Sequence, residues 1–166
     1  MKLAQDYFEW VVPGDLKDGD VYLVPKSEGF LVCLGSTGAD GVTKFAVLLG
    51  RINVETPDPI PAWVNLASLE ASIVARCINP TIEPYPGVAA LGLRLPAPQS
   101  LPGCIVLDGE GRTYLYVRQN GTARHFDLSG GPTKSHVHAA GAFDAWRVQA
   151  SAKDKPALQL THFPPS

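Results

Sequence analysis

Apolar residues come in short runs along this chain, each cut off by Gly, Pro, Ser or Asp before it reaches helical length. Three such runs, at 21–24, 30–34 and 45–49, lie in the stretch 19–52, GDVYLVPKSEGFLVCLGSTGADGVTKFAVLLGRI. Val, Tyr and Phe dominate them, and residues of that kind suit a pleated, half-buried surface. The pattern predicts a meander of three antiparallel strands. A polar turn at 15–20 feeds the first strand. A loop at 25–29 and a longer, mobile loop at 35–42, with Gly38 and Gly41 in it, join the others. Upstream, residues 7–12 (YFEWVV) read as a first strand or a short amphipathic turn, ended by Pro13-Gly14.

After Ile52 the pattern changes. Residues 55–61 (ETPDPIP) carry three prolines, each removing a backbone donor and restricting the residue before it, and mark an internal seam. Next, Leu66, Leu69 and Ile73 recur at helical spacing behind the capping candidates Asn65 and Ser68, which predicts one short helix. A strand at 72–78 competes for the same residues. A second proline-rich crossing at 79–87 precedes a strand at 88–95. Residues 104–107 and 113–118 form a strand pair across the Asp108-Gly109 turn. The clearest local signal is Asn120-Gly121 between 114–118 and 123–128, because this dipeptide tolerates the positive φ angles of a two-residue hairpin turn. A flexible loop at 129–135 and strands at 145–149 and 158–163 complete the chain. There is also an echo: Gly19-x-Val21-x-Leu23 followed by Phe30 matches Gly103-x-Ile105-x-Leu107 followed by Tyr114, both offset by 84 residues.

These elements predict an all-β or β-dominated fold: a partly open antiparallel barrel, or two packed sheets, with one short helix, in a single domain over residues 1–166. Composition agrees, with 45% hydrophobic residues, 18% charged residues, 16 Gly and 15 Pro spread between the runs. A net charge of −2 supplies no electrostatic footprint for nucleic acid or an anionic membrane. Neither a signal-peptide core nor an apolar run of membrane-spanning length is visible. Cys33, Cys77 and Cys104 make an odd number with no CxxC, and read as buried thiols of a reduced, cytoplasmic protein.

Candidate chemistry is sparse. His136 and His138 share one face of an extended segment and follow Gly130 at the spacing G-x5-H-x-H, so they are the metal-ligand candidates. No glutamate follows at the distance a metal-binding barrel needs. His125 or His162 would have to supply a third ligand, so surface histidines without a metal are expected, and no cofactor. No GxSxG elbow or phosphate loop is present. Asp108 and Glu110 read as solvated turn residues. Arg112, Arg118 and Arg124 with Tyr114 and Tyr116 are the nearest thing to a stacking groove for nucleic acid, diluted by Asp108, Glu110 and Asp127.

The text Gly19-Asp20-Val21-Tyr22-Leu23-Val24-Pro25, Gly29-Phe30 and 45–51 (FAVLLGR) resembles the opening of small bacterial immunity proteins from polymorphic-toxin systems. The resemblance covers the first third of the chain. It implies an SH3-like β-barrel and a function of neutralising a toxin by binding it. A similar opening occurs in free ribonuclease toxins, but those carry Arg-Pro before the third strand, where Thr43-Lys44 stands here. The expected function is thus non-catalytic binding of a protein partner. The acidic turn Asp15, Asp18 and Asp20 would meet a basic target, and Trp10, Trp63 and Trp146 are the anchor candidates, presented with the loops 35–42 and 129–138. The alternatives are a small metal-dependent or hydrolytic β-barrel enzyme using His136 and His138, and a structural subunit of a phage or secretion assembly.

Overall fold

The computed structural model describes residues 4–55, 60–84, 93–94 and 102–164. It is all-β. The strands are β1 (Phe8–Val11), β2 (Val21–Pro25), β3 (Phe30–Thr37), β4 (Lys44–Ile52), β5 (Ala62–Asn65), β6 (Val74–Cys77), β7 (Thr81–Pro84), β8 (Leu93–Arg94), β9 (Ile105–Asp108), β10 (Thr113–Gln119), β11 (Thr122–Asp127), β12 (Ala139–Phe143), β13 (Trp146–Ala150) and β14 (Leu158–Phe163). They form three antiparallel sheets, in the orders β1-β6-β2-β3-β4-β5, β11-β10-β9-β12-β8 and β14-β13-β7. Among the described residues no sheet closes into a barrel.

The predicted meander is β2-β3-β4, in the expected order, with a β-bulge between Val32 and Cys33. It is more buried than a half-exposed sheet, because both of its faces are covered. Leu23, Val32, Leu34, Val47 and Leu49 face the main core, where Leu115, Phe126, Trp146 and Val148 of the other two sheets meet them. Tyr22, Val24, Leu31, Cys33 and Leu48 point the other way, against Leu16, Leu66 and Leu69. Burial on both sides is what makes these strands read as unbroken apolar runs rather than alternating ones. The main core draws residues from Tyr7 to Leu160, on both sides of the 55–61 seam; residues 56–59 lie outside the described residues. A third, smaller cluster of Cys104, Val106, Tyr114 and Tyr116 covers the outer face of the five-stranded sheet beneath Val137.

The predicted short helix is present only as one turn of 3-10 helix. Leu66–Leu69 form a single 3-10 turn that ends at Glu70 in the left-handed region, and Asn65 makes no side-chain cap. The competing strand wins: Val74–Cys77 pairs with both β1 and β2. Val74 and Ala75 are buried on opposite faces of the sheet, and that burial outweighs a marginal helical periodicity. Of the strand expected at 88–95, only Leu93–Arg94 falls within the described residues. The Asn120-Gly121 turn is as expected. Gln119 pairs with Thr122, and Asn120 and Gly121 have φ of 51° and 79°, the signs a type I′ turn requires.

Candidate partner-binding surface

The three polar segments singled out in the sequence meet at Thr37. Its hydroxyl donates to Asp18 Oδ1 at 2.7 Å and accepts from Lys44 Nζ at 2.7 Å. Its carbonyl accepts from both the Thr133 amide (3.0 Å) and the Thr133 hydroxyl (2.8 Å). A buried Ser36–Thr133 hydroxyl contact of 3.0 Å adds to this seam. The turn 15–20 and the segment 129–138 also touch directly. A Cβ on Gly130 (φ +93°) would come within 2.6 Å of the Asp18 carbonyl, and one on Gly19 (φ +88°) within 3.2 Å of Gly130 Cα. Glycine at both positions therefore lets two backbones approach where no side chain fits.

The loop between β3 and β4 is braced by its own hydrogen bonds. Asp40 Oδ1 accepts from the amides of Val42 and Thr43, each at 2.9 Å, and Oδ2 accepts from the Thr43 hydroxyl at 2.5 Å. These bonds, the hydroxyl first, hold the Asp40 carboxyl at a pKa of about 2. The loop closes on itself through Gly38 N–H to the Thr43 carbonyl at 2.8 Å.

Beside this loop stands an aromatic cluster. Phe126 lies at the centre, with ring centroids 6.3 Å from Phe45, edge-on, and 5.8 Å from Trp63. Arg124 lies over two of these rings, 4.8 Å from the centroid of Phe45 and 5.2 Å from that of Trp63, within cation–π range. Phe45, Trp63 and Arg124, together with Gly38, Asp40, Thr43 and Asn65, line a cleft of about 530 Å³. Trp63 is held by its backbone: Gln119 Oε1 accepts from the Trp63 amide and Gln119 Nε2 donates to the Trp63 carbonyl, both at 3.0 Å. The Gln119 side chain thus takes the place of a further strand along the free edge of β5.

The tryptophans have three fates. Trp63 is half-buried at the cleft. Trp10 is 52% exposed on the edge strand β1. Trp146 is fully buried, donates from Nε1 to the Gly103 carbonyl at 2.6 Å and stacks on Phe163, so it is a core residue beyond the reach of any partner. The three acidic residues differ as well. Asp18 is tied to Thr37 and lies 3.7 Å from Lys44; Asp20 accepts from the Lys17 amide at 2.8 Å and lies 3.7 Å from Arg76. Only the Asp15 carboxylate makes no hydrogen bond or ion pair among the described residues, where its carbonyl accepts from Arg76. Arg76 also reaches Glu9, which raises its pKa.

His136 and His138 are exposed on either side of buried Val137, with ring centroids 5.6 Å apart. They border a shallow cleft with Asp108, Glu110, Arg112 and Lys134. Among the described residues no group of three or more His, Cys, Asp or Glu gathers that could hold a metal ion. His125 is buried under this segment, packed on Tyr116, with Nδ1 lacking a hydrogen-bond partner among the described residues. Burial, followed by the nearby His136, pushes its pKa down, with the Lys134 and Ser135 backbone pulling the other way. All three cysteines are buried; desolvation pushes the Cys33 thiol far up and the Cys77 thiol up to about 12. No helix among the described residues is long and apolar enough to cross a membrane.

Sequence reasoning named Trp63 and the 35–42 loop but not their partner. In the sequence Arg124 belongs only to the pattern of arginines with Tyr114 and Tyr116. It lies instead with aromatics from β4 and β5, far away in sequence, and no local signal could have joined them. Comparison of the chain with family models, with characterised proteins and with solved structures finds no match.

Proposed function

We propose that this chain is a non-catalytic binding protein that recognises a protein partner through the end of the molecule where the 38–43 loop, Trp63 and Arg124 meet. The observation that carries this reading is the cluster itself: a tryptophan and an arginine stacked at the mouth of a cleft, on rigid strands, beside a braced loop. Binding energy concentrates in Trp, Tyr and Arg side chains of this kind, and scattered rim charges add little. With the resemblance of residues 19–51 to immunity proteins, the most concrete form of the proposal is an inhibitor of a bacterial toxin.

The test is co-expression with each protein encoded by the genes neighbouring this one, with growth and co-purification as readouts. Arg124→Glu should abolish protection and co-purification while the melting temperature stays within a few degrees of wild type. Protection by a well-folded Arg124→Glu protein would remove this surface from consideration, and failure of the wild-type chain to protect or co-purify would remove the toxin reading.

A further inference from the structure

From the surroundings of Arg124 we infer that it is a receptor for a carboxylate, and that the partner segment seated here carries an acidic side chain next to an apolar one. This rests on the binding-protein reading only for who owns the carboxylate. The guanidinium is half-buried on β11 and stacked on Phe45 and Trp63, yet makes no hydrogen bond or ion pair among the described residues. Several cations elsewhere among the described residues are, by contrast, paired. Lys44 lies by Asp18, Arg112 by Asp108 and Glu110, Arg147 by Glu83, and Lys134 donates to the Tyr114 hydroxyl. The one carboxylate lining the cleft, Asp40, turns its oxygens to its own loop.

A guanidinium offers five N–H donors in a fork that matches a carboxylate, and stacking on rings leaves its edge for such bonds. The rings exclude water from one side, so a carboxylate bound here meets the cation in a lower dielectric than on an open surface. A second cleft of about 470 Å³, lined by Leu66, Leu69, Ala71 and Val74, shares Thr43 and Asn65 with the first. An extended segment that places an acidic side chain on Arg124 therefore has an apolar site next to it for a neighbouring residue. A phosphate backbone would gain the cation but leave the apolar cleft empty, which favours a protein partner over nucleic acid.

The experiment is a titration of the isotope-labelled chain, followed through its indole and arginine side-chain N–H signals. The probes are acetyl-Leu-Glu-Glu-Leu-amide, its Gln-Gln analogue, and a dT hexanucleotide. The acidic peptide should give a saturable shift at Trp63, Arg124 and residues 38–43, with the buried Trp146 indole as an unmoved internal control. The Gln-Gln analogue should bind at least tenfold more weakly. Arg124→Gln should lose the difference between the two peptides, and Arg124→Lys, which keeps the charge without the fork, should keep only part of it. Equal binding of both peptides, tighter binding of the oligonucleotide, or no saturable shift at Trp63 would overturn the inference. Toxin neutralisation is scored separately. Carboxylate binding without neutralisation would leave this site standing and discard the toxin reading, and neutralisation without peptide binding would do the reverse.

Discussion

Tyr22 shows how exposed a single polar atom leaves an otherwise apolar layer. On β2, between the neighbouring strands β3 and β6, its side chain is wholly buried in the second core cluster, and the hydroxyl has no hydrogen-bond partner among the described residues. Burial pushes its pKa far up. An unsatisfied buried hydroxyl costs about 1–3 kcal/mol, so Tyr22→Phe should be neutral or raise the melting temperature, where Tyr→Phe changes at bonded sites lower it. His125 makes the complementary case for pH. Its folded pKa lies below the unfolded value of about 6.5, so between the two the unfolded chain binds more protons. Stability should therefore be full at neutral pH and decline as pH falls below about 6.5, and His125→Phe should flatten that slope in thermal melts taken between pH 7.5 and 5.5. Neither environment was legible in the sequence. Tyr22 and His125 sit in ordinary strand positions, and what isolates them is the layer packed on top. The tryptophans teach the same lesson, since their surroundings and not their type send Trp146 to the core, Trp63 to a cleft and Trp10 to an edge.

At the scale of elements, local chemistry decides what the sequence reveals. The Asn120-Gly121 hairpin was readable because both central residues must adopt positive φ, a demand few residue types meet. The expected short helix is realised only as the 3-10 turn 66–69, because the residues beyond it join a strand whose burial is set by β1 and β2, distant in sequence. The glycine echo falls between these cases. Gly19 and Gly103 both have positive φ and open equivalent bulges. Gly19 N–H donates to Gly35 O and Gly35 N–H to Asp20 O; likewise Gly103 N–H donates to Tyr116 O and Tyr116 N–H to Cys104 O. The 84-residue offset would make Gln119, not Tyr116, the counterpart of Gly35, so the two units share a device and not a register. Gln119 has another task, closing the edge of β5 through the oxygen and the nitrogen of its side-chain amide. Gln119→Ala should cost about 1–3 kcal/mol by leaving the Trp63 amide and carbonyl unmatched, and should speed hydrogen exchange at residues 62–65 more than elsewhere.

For the molecule as a whole, three sheets share one core, and the ends of their loops converge on a single surface. That convergence was half legible: the polar, glycine-rich segments could be named from the chain, but not their meeting at Thr37 or the placing of Arg124 over Phe45 and Trp63. It also changes what the acidic turn can do. Asp18→Lys would break the bond to Thr37 and place a cation beside Lys44, so it should lower the melting temperature. Asp15→Lys touches no such bond and should leave it unchanged. Of the two, Asp15→Lys is the clean probe of attraction to a basic target, and any weakening it causes should fade as salt rises. The most direct test of the account is a hydrogen-exchange footprint of the chain with and without a neighbouring-gene product that co-purifies with it. The proposed surface predicts protection concentrated at residues 38–43, 62–65 and 122–127, with the exposed β1 edge around Trp10 unaltered. Protection at the β1 edge with none around Trp63 and Arg124 would contradict it.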